Sequence, residues 1–98
     1  MYKATEEKIQ EWKEKYGDIF KITTEDGYSC ILRKPNRKEL GYAGVAGQEN
    51  PIKFNEIILN SCWLGGDEEI KTDDSQFLSV SQKLGEIIKV KSAELEKL

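Results

Sequence analysis

Eighteen carboxylates, two cysteines and a knot of basic side chains are the groups here with chemistry to offer, and no histidine stands beside them. That absence removes the commonest general base and the commonest metal ligand together. Cys30 and Cys62 lie far apart without a CxxC, and two soft ligands fall short of the four that a structural zinc site needs. Each is embedded in an apolar run, Cys30-Ile31-Leu32 and Cys62-Trp63-Leu64, where a free thiol behaves as a small buried hydrophobe. The reading is two unpaired thiols in a reducing compartment.

The carboxylates crowd at Asp67, Glu68, Glu69, Asp73 and Asp74. A calcium loop starting at Asp67 needs glycine at its sixth position and glutamate at its twelfth, and this chain has Thr72 and Leu78 there. The expectation is a solvated acidic loop, too open to raise a carboxyl pKa for acid–base work. Gly41, Gly44 and Gly47 match neither phosphate-binding spacing, GxGxxG or GxxxxGK[ST]. The serines have no histidine to activate them. No catalytic residue, metal site or cofactor is expected, and the chain reads as a protein that binds rather than one that reacts.

Two places could bind. Trp63-Leu64, followed by Gly65-Gly66, pairs a large aromatic with a joint, and tryptophan is enriched among interface anchors. Its structural alternative is the end of a core helix. Arg33, Lys34, Arg37 and Lys38 form a basic turn able to meet phosphates or an acidic protein surface. Fifteen basic against eighteen acidic residues give a net charge of −3, and no aromatic is interleaved in the turn, which argues against nucleic acid as the main partner.

The elements that position these groups form one domain over the 98 residues. Thr5 caps a helix over 5–16, with Ile9, Trp12 and Tyr16 as its apolar stripe and Gly17 as its stop. Alternation over 19–24, the Asp26-Gly27 turn and an apolar return predict a hairpin over 19–32. Asn36 with Glu39 outlines a capping box for a glycine-rich helix over 37–46, either a close-approach surface or a weakly held one. Asn50-Pro51 opens the most apolar helix, 51–63, which Gly65-Gly66 ends. A last helix over 74–97 carries Phe77, Val80, Leu84, Ile87, Ile88, Leu95 and Leu98 near a seven-residue spacing, which Lys91 interrupts. The class is α+β: N-terminal helix, β-hairpin, then three helices. No leader is expected from the charged first sixteen residues, and no apolar run approaches the roughly 20 residues of a membrane span.

The run Ile57-Ile58-Leu59-Asn60-Ser61-Cys62-Trp63-Leu64-Gly65-Gly66-Asp67, with Asp73-Asp74, Phe77-Leu78 and Leu84-Gly85-Glu86-Ile87-Ile88, resembles small phage and prophage proteins of the Bacteroidales type that carry a domain of unknown function. The resemblance covers nearly the whole chain, including the Lys34-Pro35-Asn36-Arg37 turn. A looser similarity, in size, charge and element order, extends to tail assembly chaperones of long-tailed phages. It implies a cytoplasmic, non-enzymatic adaptor in the bacterial host. Its partner would be another phage protein, of tape-measure or tail-tube type, with self-association as a further possibility. An apolar groove between the helices over 37–46, 51–63 and 74–97 would take an amphipathic helical client. The alternatives are a small nucleic-acid-binding regulator that uses the 33–38 turn and a minor structural protein of the virion.

Overall fold

The computed structural model describes residues 1–88 and 92–98, and its class is α+β. The elements are α1 (Glu6–Tyr16), β1 (Ile19–Thr23), β2 (Ser29–Arg33), α2 (Arg37–Gly47), α3 (Pro51–Cys62), β3 (Trp63–Gly66), α4 (Glu69–Thr72) and α5 (Asp74–Ile87). Local chemistry sets most of these boundaries. Thr5 accepts from the Lys8 amide at 3.1 Å, and Gly17 stops α1 at φ +79°, where only glycine is at ease. Asn36 and Glu39 form the full reciprocal box that starts α2. Asn50 and Pro51 start α3, and Asp73 caps α5 by accepting from the Ser75 and Gln76 amides.

β1 and β2 pair antiparallel with Ile22 opposite Cys30 and Phe20 opposite Leu32, which puts these four side chains on one face. That face meets the helical layer, where Ala43, Ile58, Leu59, Cys62, Ile70, Val80, Leu84 and Ile87 complete the core. On the opposite face Ile31 is buried beneath α1, whose Trp12 reaches over β3. The sheet is therefore the middle of three layers, with α1 alone on one side. Asp26 Oδ2 accepts from the buried Gln76 side-chain amide at 2.6 Å, which ties the hairpin turn to α5.

Three expectations are corrected. The hairpin is not isolated, because β3 pairs antiparallel with β2 and makes the order β1-β2-β3. Trp63-Leu64-Gly65-Gly66 is thus a strand rather than the tail of a helix over 51–63. Its register places Cys30 opposite Gly66, Ile31 opposite Gly65 and Leu32 opposite Trp63, and Leu64 is the extra residue of a bulge. The glycines are required by close approach. A Cβ on Gly66 would sit 2.7–2.8 Å from Cys30 and the Ser29 carbonyl, and one on Gly65 would strike Tyr2 and Trp12. The acidic stretch is not all loop, since α4 folds within it and buries Ile70 in the core. Finally, α5 ends at Ile87. Of the expected helix over 74–97, residues 89–91 lie outside the described residues, and 92–98 carry no regular structure. Leu95 and Leu98 are fully exposed, so no burial holds that segment helical.

Candidate partner-binding groove

Helical spacing builds a groove between α3 and α5. Ile52, Glu56, Leu59 and Asn60 recur at three and four residues on α3, and Asp74, Phe77 and Leu78 do the same on α5. Lys71 closes one end from α4, and the enclosed volume is about 480 Å³. Leu59 is buried and Phe77 half-buried in the floor, while Ile52 and Leu78, about half exposed (47% and 50%), form apolar shoulders. Glu56, Asp74 and Lys71 make the charged rim, two carboxylates against one ammonium. Glu56 also meets Lys53 at 3.3 Å, an exposed pair of small energetic weight. The glycine-rich α2 packs on α3 but does not line this groove, unlike the three-helix arrangement expected from sequence.

The structure separates the six residues singled out in the sequence. Trp63 is half-buried and packs against the core, and its ring is covered by Lys71 with Nζ 4.2 Å from the centroid. It therefore stands directly behind a rim residue of the groove, not out in solvent. Leu64, in the bulge, is half-buried as well. Arg33 is committed internally. Its guanidinium donates to both Glu39 carboxylate oxygens at 2.9 and 2.7 Å, to the Ser61 carbonyl at 2.6 Å and to the Lys34 carbonyl at 3.0 Å. The fork–carboxylate hydrogen bonds hold Glu39 below the usual carboxylate range and raise Arg33. Arg33 thus clamps the ends of β2 and α3 to the start of α2. Lys34, Arg37 and Lys38 remain exposed on the turn. The Tyr16 ring, 5.8 Å from the Arg33 guanidinium, joins the turn from α1, a proximity that nothing in the local sequence signalled.

Three further groups are shifted by burial or hydrogen bonding. Burial pushes the Cys30 thiol up to about 12 and Cys62 up to about 11, so neither is a thiolate at neutral pH. Both thiols are free. The Ser29 amide, donating to Asp67 Oδ2 at 2.9 Å, holds that carboxyl low, while the Asp67 amide donates back to the Ser29 carbonyl. Asp67 thereby prolongs the β2–β3 ladder, which is its structural use. Among the described residues, no three His, Cys, Asp or Glu side chains gather as a metal ion would require. Among them, too, no helix is long and apolar enough to cross a membrane.

Comparison with protein-family models, curated proteins and solved structures returned no match for this chain.

Proposed function

We propose that this protein is a non-enzymatic adaptor of the tail-assembly-chaperone kind, working in the cytoplasm of a bacterial host, whose α3–α5 groove holds a helical segment of another phage protein of tape-measure type. The observation that carries the reading is the groove itself: an apolar floor of Leu59 and Phe77, apolar shoulders at Ile52 and Leu78, and a charged rim of Glu56, Asp74 and Lys71. Such a surface suits an amphipathic helix that presents apolar residues at three- and four-residue spacing with lysine or arginine beside them. The rim carboxylates Glu56 and Asp74 are the groups that would meet basic flanks of such a helix. Burial keeps Cys30 and Cys62 as thiols, the form that is poor at nucleophilic attack, which supports binding over reaction. The regulator reading is weakened, because Arg33, the best phosphate fork of the basic turn, is occupied by Glu39.

Co-expression with the tape-measure protein of the same gene cluster tests this. The account expects the client to become soluble with the wild-type chain and to stay insoluble with a Leu78→Asp variant. Leu78 is about half exposed, so that change leaves the fold standing. Equal client solubility with and without the chain contradicts the proposal.

A further inference from the structure

α2 presents two opposite faces. Leu40, Ala43 and Gly47, at three- and four-residue spacing, face inward: Leu40 packs on the core, Ala43 is fully buried, and a Cβ on Gly47 would lie 2.9 Å from Phe54. Lys38, Tyr42, Val45 and Glu49, at spacings of four, three and four, form the outward stripe. Gln48 keeps helical angles (φ −61°, ψ −40°), so Glu49 continues that stripe one turn past Val45. All four are exposed, and Tyr42 and Val45 leave 69% of their surface to solvent, more than Ile52 or Leu78 does. Gly41 flanks them with nothing within 4 Å of an added methyl, so no contact inside the chain asks for glycine there. The charges are also unspent. Among the described residues Lys38 and Glu49 enter no ion pair, whereas Arg33, Lys53 and Lys83 each do.

This stripe is complementary to itself. It runs from a cation at the start of the helix to a carboxylate past its end, with two apolar residues between, and its intervals read the same from either end. An antiparallel copy, related by a two-fold axis passing between positions 43 and 44, sets Lys38 against Glu49 and Tyr42 against Val45, each twice over. A parallel copy would set Lys38 against Lys38 and Glu49 against Glu49. We infer that α2 is the contact of a symmetric dimer, its outward face packed antiparallel on the same face of a second copy. Tyr42 of one copy covers Val45 of the other, and the Lys38–Glu49 pairs close the two ends. Gly41, without a Cβ, lets the second backbone come close. Two apolar anchors per copy make a small contact of the reversible class. α2 does not line the α3–α5 groove, so this contact stands or falls independently of the client proposed for that site.

Sedimentation equilibrium of the full chain over a micromolar-to-millimolar series tests it. Wild type is expected to dimerise, and to do so more weakly as salt rises, because the end pairs are exposed. Tyr42→Gln with Val45→Gln is expected to weaken association at least about 100-fold, as the apolar anchors of both copies are lost. Both positions are largely exposed and glutamine is the better helix former, so the circular dichroism spectrum of that variant should match wild type. Lys38→Glu alone, or Glu49→Lys alone, is expected to weaken association about 10-fold, since two attractive pairs become repulsive. Each swap moves charge in the direction that the α2 dipole favours, so a lost dimer would not reflect a lost helix. Both swaps in one chain recreate the opposite-charge pairs and should restore the dimer. A wild-type chain that stays monomeric throughout overturns the inference, as does a dimer indifferent to the Tyr42 and Val45 substitutions or a double swap without rescue.

Discussion

Replacing Arg33 by methionine decides whether the basic turn is structural or a binding surface. The substitution keeps an apolar stem and removes two hydrogen bonds to Glu39, one to the Ser61 carbonyl and one to the Lys34 carbonyl. Arg33 and Glu39 are about one-fifth exposed, at 20% and 21%, so solvent screens the pair only in part. Removing one partner of a deeply buried pair costs about 3–5 kcal/mol, and an exposed pair is worth about 0–1 kcal/mol. The intermediate setting, with the Ser61 carbonyl also left unpaired, places Arg33→Met near ~2 kcal/mol. For a chain of this length that lowers Tm by about 8–16 °C. It also moves the urea midpoint by about 1–2 M without changing the slope. Glu39→Gln keeps an oxygen to accept from the Asn36 amide and so spares the capping box. The cycle of Arg33→Met, Glu39→Gln and the double variant should therefore return a coupling of about 1–2 kcal/mol. A loss below about 0.5 kcal/mol with no coupling would place the pair among ordinary surface contacts and refute the clamp.

Four further outcomes follow from the same geometry. Gly44→Ala, at an exposed helical site with nothing within 4 Å of the added methyl, should stabilise the fold by about 0.5–1 kcal/mol in thermal melts. Gly66→Ala should destabilise more than Gly65→Ala in urea titrations, because its methyl meets the Cys30 backbone whereas that of Gly65 meets side chains at Tyr2 and Trp12 that can turn aside. Above pH 9 stability should fall, because each thiol ionises near its ordinary value when unfolded but only near 11 (Cys62) or 12 (Cys30) when folded; each contributes a loss of at most about 1.4 kcal/mol per pH unit in that window. On the acid side, Glu39 and Asp67 have folded pKa values below their unfolded ones, so the stability they provide is complete above about pH 4.5 and is lost as pH falls through the folded values, with Glu39→Gln flattening the acid limb of a pH–Tm series.

Helix starts were legible because each is written in a few adjacent residues: Thr5, Asn36 with Glu39 and Asn50-Pro51 cap as their types dictate, and of the two candidates Thr72 and Asp73 the structure uses Asp73. The hairpin was legible from Asp26-Gly27, where Gly27 takes φ +91°. β3 was not, because Gly65-Gly66 reads locally as a helix stop, and only contact with Cys30, Tyr2 and Trp12 explains why a strand there must be bare of side chains. The length of α5 was overread for the complementary reason. A seven-residue apolar spacing describes a surface seeking a partner, and within one chain Leu95 and Leu98 find none. Of the binding residues, Trp63 was singled out by type alone, and its position behind Lys71 was not legible; the partners that occupy Arg33, Glu39 and Ser61, come from α2 and the far end of α3 and left no local signal. Ile52, Phe77 and Leu78, which shape the groove, left a signal only as apolar positions too many for one buried stripe.

The central claim is that the α3–α5 groove receives a basic amphipathic helix. Trp63 reports on it, since Lys71 covers its ring from the groove rim. The most direct measurement is Trp63 fluorescence in a Trp12→Phe background, during titration with helical segments of the tape-measure protein. The account predicts a saturable spectral shift for segments with basic flanks, abolished by Leu78→Asp and reduced by salt. A shift of equal size and affinity in the Leu78→Asp chain, or none with any segment, would contradict it.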